Sequence, residues 1–166
     1  MNAPSHLNTS TCSRFSATKR AIIEKSIKHK YGDILYRGYE QHEAPLSSPQ
    51  YDLIGRVDYV VKNGNDCYMP IIFRLRKKPA QILNSHKMQV VAACLLVKST
   101  FGEVKRGIIL YETGGDEVIC YQKYLDEFLD HLAQMKNAIN TNVGPAPWYN
   151  EEKCKKCRVD DINIRH

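Results

Sequence analysis

Two short motifs carry residues able to hold a divalent cation near a phosphate. Gly38-Tyr39-Glu40-Gln41-His42 has the form GxxxH, and Gly55-Arg56-Val57-Asp58 has the form GxxD. Metal-dependent cleavage of a phosphodiester needs carboxylates, often with a histidine, to hold the cation, and a lysine to orient water or stabilise charge. In a nuclease core built on a strand hairpin, those ligands come from two adjacent strands and the helix before them. His42, Asp58 and Gln89 are the part of such a set that this chain contains. Basic residues surround them in sequence: Arg56, Arg74, Arg76, Lys77, Lys78 and Lys87, with Arg14, Lys19, Arg20, Lys25 and Lys28 nearer the N-terminus. Such side chains contact phosphates without reading bases.

The elements that must position these residues are legible in the apolar pattern. Residues 16–31 set Ala17, Ile22, Ile23 and Ile27 against Lys19, Arg20, Lys25, Lys28 and Lys30, which predicts an amphipathic helix with a basic outer face. Residues 41–49, with two prolines and two serines, read as a loop. A hairpin is predicted over 51–61 and 67–75, turning at Asn63-Gly64-Asn65, so that Asp58 lies on its first strand. Residues 81–100, with Ile82, Met88, Val91, Ala92, Leu95 and Leu96 at helical spacing, predict a central helix opened by Gln89. A second strand pair, 106–111 and 117–121, turns at Gly114-Gly115, and 124–139 form a last helix with Asp126, Glu127 and Asp130 in its first turns, where the dipole favours acids. Residues 140–148 break regular structure, and a tail of 149–166 follows.

At 166 residues the chain suits one domain. Its expected parts are an N-terminal segment over 1–15, a core over 16–140 and a tail over 141–166. The formal net charge of +6 favours a polyanionic partner, of which nucleic acid is the commonest. The longest apolar run, 90–97, falls far short of the roughly twenty residues that span a bilayer, so no membrane insertion is expected. Residues 1–11 are polar and lack a signal-peptide core, which places the expected location inside a cell or a particle assembled there. Of the six cysteines, Cys67, Cys94 and Cys120 stand in apolar surroundings and read as core, where cysteine acts as a small hydrophobe.

The order of GxxxH, GxxD, a proline before the second hairpin strand, a glutamine-bearing helix and a terminal CxxC resembles the RecB-like branch of the PD-(D/E)XK nucleases, above all the CRISPR-associated exonuclease known as the fourth Cas protein. The resemblance runs from about Cys12 to Asn163. It implies an α/β, mixed α+β fold with a central mixed sheet flanked by helices. The family carries Glu-x-Lys after that proline, and here Pro70-Ile71-Ile72-Phe73-Arg74 puts Ile72 and Arg74 at those positions. The family's Gln-x-x-x-Tyr is broken as well, since Gln89 is followed by Ala93. Isoleucine cannot ligate a hard cation, and arginine keeps a charge that grips phosphate while replacing a catalytic lysine poorly. The resemblance thus leaves His42, Asp58 and Gln89 as relics and no catalytic set. Its iron-sulfur cluster is matched by Cys12, Cys154 and Cys157, while Asn163 stands at the fourth ligand; no cofactor is expected, with residual zinc (aided by His166) or iron-sulfur as the alternative.

Degenerate relatives of this family serve as nucleocapsid proteins in filamentous viruses of hyperthermophilic archaea. The resemblance therefore implies a non-enzymatic, sequence-independent DNA-binding protein located in the virion or the host cytoplasm, associating with itself or with other virion proteins. The competing expectation is a working nuclease of CRISPR adaptation or repair in which Asp66 or Glu43 replaces the lost glutamate. A third is an inactive subunit regulating an active nuclease.

Overall fold

In the computed structural model, residues 15–141 are described apart from 63, 65, 66 and 114, and the chain divides into two compact units, Met1–Leu129 and Asp130–His166. Helix α1 (Ala17–Tyr31) starts where the Ser16 hydroxyl accepts from the Lys19 N–H at 3.3 Å, and it ends at Gly32, whose φ of 114° favours glycine. Its inward stripe is Arg20, Ile23, Glu24, Ile27 and Tyr31, and Ile27 alone is buried. Ile22, expected on that stripe, is 67% exposed. It lies one position off the i, i+3, i+4, i+7 series that starts at Arg20, and polar Arg20 and Glu24 occupy the inward places instead.

Two strands then appear that the pattern did not suggest, β1 (Asp33–Arg37) and β2 (Leu46–Ser48), the second inside the expected loop. The first expected hairpin strand is split into β3 (Leu53–Gly55), which pairs with β2, and β4 (Tyr59–Lys62), which pairs with β1 and β5. Strand β5 (Tyr68–Lys77) is longer than expected because it is central: antiparallel to β4 on one side and parallel to β6 (Gly107–Thr113) on the other. Helix α2 (Asn84–Thr100) makes the crossover between those parallel strands, and β7 (Asp116–Ile119) closes the sheet in the order β1-β4-β5-β6-β7. The fold is thus mixed α/β, with a mixed central sheet flanked by helices.

Away from the register shifts at Ile34/Tyr36 and Arg74/Lys77, alternation assigns the side chains of the sheet to two layers. Tyr59, Val61, Ile71, Phe73 and Ile108 pack with Ile27 of α1, whereas Val60, Ile109 and Tyr111 pack with α2, and half-buried Ile72 joins them. Helices α1 and α2 therefore cover opposite faces. Helix α2 buries His86, Val90, Val91 and every residue from Ala93 to Val97, a broader face than its spacing suggested, because the sheet covers one side and β2 and β3 cover another. Cys94 is fully buried, Cys67 half-buried and Cys120 exposed. The core assignment of Cys120 fails because Ile119 and Tyr121 point inward on either side of it, and alternation turns Cys120 out. A 3-10 turn over Tyr121–Tyr124 leads into α3 (Leu125–Thr141), whose Leu125 and Phe128 pack on the α2-side core. In the second unit, the described residues 130–141 continue α3 with no buried side chain, leaving Met135 and Ile139 exposed. Among the described residues no helix is long and apolar enough to cross a membrane.

Candidate nucleic-acid interface

Asp58 stands one residue before β4 begins and is buried, 5% exposed as a residue. On β5, the N–H of Phe73 faces the β4 side two residues beyond the last paired residue, Ile71. There the Asp58 Oδ2 accepts that N–H at 2.8 Å, substituting for the strand acceptor that β4 no longer supplies. The same alternation aims the nitrogen of Pro70 at the β6 side, where the parallel ladder starts only at Ile71, so the missing N–H costs no ladder bond.

Ile72 and Arg74 follow Asp58 on the α2 face. Ile72 packs against the core there. Burial lowers the Arg74 pKa, Asp58 offsets part of that, and neighbouring Arg76 adds to the lowering. A divalent cation does not fit these residues: one oxygen of Asp58 is engaged by a backbone amide, the hydrocarbon of Ile72 stands where a second carboxylate would be required, and the guanidinium of Arg74 adds a repelling positive charge beside it.

His42 is exposed and belongs elsewhere. Its Nε2 lies 3.1 Å from Glu40, and ligand atoms of Glu40, His42 and Glu43 all fall within 4.8 Å of one another, a group that does not include Asp58. The GxxxH turn is nevertheless fixed to the GxxD segment: the Gly38 N–H donates to the Asp58 carbonyl at 3.1 Å, and Arg56 donates to the carbonyls of Gly38 and Glu40, both at 3.2 Å. A Cβ on Gly38 would sit 2.0 Å from the Val57 carbonyl oxygen. Gly38→Ala is therefore expected to destabilise the protein by about 1–3 kcal/mol, read as a lower urea midpoint at unchanged slope.

The basic residues divide by what already holds them. Lys19 pairs with Glu112, and Arg20 donates to the Phe15 carbonyl at 2.8 Å while lying over the Tyr39 ring. Arg56 is spent on the turn just described. Lys78 donates to the Asp116 carbonyl and pairs with Glu117, both at 2.8 Å, tying β5 to β7. Lys87 lies over the Tyr124 ring at 4.9 Å. Arg76 and Lys77 are exposed at the end of β5, and Lys25 and Lys28 are exposed on α1, across the sheet from Arg74. Gln89 is exposed within the second turn of α2 rather than at its opening. Arg14, Asp66, Cys12, Cys154, Cys157, Asn163 and His166 lie outside the described residues.

Sequence reasoning missed His86. It sits in the first turn of α2, 5% exposed, with Nδ1 3.0 Å from the Tyr111 hydroxyl. The available signal was its place on the buried stripe, four residues before Val90 and eight before Cys94. Burial lowers its pKa, and Arg74 and Arg76 lower it further. A histidine depressed below its unfolded value of about 6.5 leaves the unfolded chain binding more protons, so its contribution is full above that pH and is lost as pH falls toward the folded-state value. His86→Gln is expected to flatten the decline of unfolding free energy below about pH 6.5.

No family model and no curated protein matches the sequence. Among solved structures, that of SSO0001 is similar at 17% identity with a TM-score of 0.48, covering 84% of this chain. The match spans 64% of that protein's length.

Proposed function

We propose that the chain is a sequence-independent DNA-binding protein of inactivated RecB-like nuclease type, with the coating role of a viral nucleocapsid protein. The observation that carries this reading is the composition of β5 beside Asp58. The strand offers an isoleucine packed in the core and then a row of cations, Arg74, Arg76 and Lys77, where metal-dependent cleavage would call for carboxylate and lysine. Cations in that row neutralise phosphates along a backbone, and backbone contacts carry no base information. Further support comes from Asp58, whose carboxylate is fixed to the Phe73 amide.

The test is to incubate the protein with unrelated duplexes of equal length in magnesium or manganese, scoring binding and products together. Comparable affinity for every duplex and intact DNA are expected. Metal-dependent products that vanish on Asp58→Ala would replace this reading with the nuclease one.

A further inference from the structure

Strands β5 and β6 run parallel and α2 crosses between them, so the carboxyl ends of both strands meet the first turn of that helix. Polar ligands of α/β crossovers collect at such a corner. Here β5 contributes Arg74 and Arg76, β6 contributes Tyr111, and α2 contributes His86. The His86–Tyr111 contact joins helix to strand. The Nε of Arg74 is fully buried and meets no hydrogen-bond acceptor among the described residues. A buried donor in that condition costs about 1–3 kcal/mol, which an anionic oxygen would recover. The acids facing the cluster are already engaged: Asp58 by the Phe73 amide, Glu117 by Lys78. No side chain caps α2 at Leu83, so the positive end of the helix adds to the same field.

We propose that Arg74, Arg76 and the His86–Tyr111 pair form a binding site for a single phosphate group. The guanidinium of Arg74 supplies a planar fork and Arg76 a second charge. His86, whose charged form is disfavoured by burial and by the two arginines, contributes a ring nitrogen for hydrogen bonding. That the natural source is the DNA backbone rests on the function proposed above; the phosphate chemistry of the corner does not.

The full-length protein is titrated with inorganic phosphate, following the Arg74 Nε–H and His86 ring signals by NMR, with chloride at matched ionic strength as control. Saturable shifts with phosphate and none with chloride are expected. Arg74→Gln should weaken binding at least about tenfold, the loss of one charge-assisted hydrogen bond, and Arg74→Lys should fail to restore it because the fork is gone. Should Arg74→Gln not fold, Arg74→Lys and His86→Asn carry the comparison. Equal, unsaturating shifts with both anions, or full phosphate affinity in Arg74→Lys, would overturn the proposal. Duplex binding that survives such a result leaves the DNA reading in place. Saturable phosphate binding without duplex binding removes that reading and keeps this site.

Discussion

Asp58→Ala is expected to destabilise the protein by about 2–4 kcal/mol. The substitution leaves the buried Phe73 N–H without its acceptor and takes away the carboxylate that partly offsets the desolvation of Arg74. The figure lies below that for a fully buried ion pair because Arg74 is only half-buried. Asp58→Asn keeps an acceptor for the amide and loses only charge, so it should cost roughly half as much. Both expectations are checked by urea unfolding with a common slope. A carboxylate retained for catalysis would behave in the opposite way, since active-site groups are commonly held at a cost to stability and their removal is neutral or favourable. An unchanged or raised midpoint in Asp58→Ala would therefore count against a structural role for this residue.

The sequence was most informative where one pattern dominated. The helix within 16–31 faces a single layer, while β4, β5 and β6 are marked by runs of apolar and β-branched residues buried on both faces. Strands β1 and β2 escaped notice because they are short and, in β1, only Ile34 and Tyr36 are buried while Asp33 and Leu35 face out. The burial pattern of α2 was blurred because it is packed on more than one side. At the site, Asp58, Ile72 and Arg74 are brought together by the family resemblance, whose motif positions they occupy on the two expected hairpin strands. His86 and Tyr111 are not, since they come from α2 and β6 and meet only through the crossover. The commitment of Lys19, Arg20, Arg56 and Lys78 to contacts within the fold was equally invisible, because each partner is distant in sequence or is a backbone carbonyl.

That division changes which cations bear on DNA. Lys78 ties β5 to β7, so removing it would confuse binding with folding, whereas Arg74, Arg76 and Lys77 form the row at the end of β5. Each phosphate neutralised releases counterions, so log affinity falls linearly with log salt at about 0.9 per contact on duplex DNA. Loss of three contacts worth about 1 kcal/mol each weakens binding by roughly two orders of magnitude at low salt. Lys25 and Lys28 serve as the internal comparison, since α1 covers the opposite face of the sheet.

The most direct test is the salt dependence of duplex affinity, measured by fluorescence anisotropy on two unrelated sequences for the wild type, the triple variant Arg74→Gln, Arg76→Gln, Lys77→Gln, and the double variant Lys25→Gln, Lys28→Gln. The expected result is a steep slope shared by both sequences in the wild type, a flatter slope by up to about 2.7 with weakened binding in the triple variant, and a near wild-type slope in the double variant. A strong preference for one sequence, or a triple variant that binds with undiminished affinity and slope, would contradict the assignment of this strand end as the DNA-binding surface.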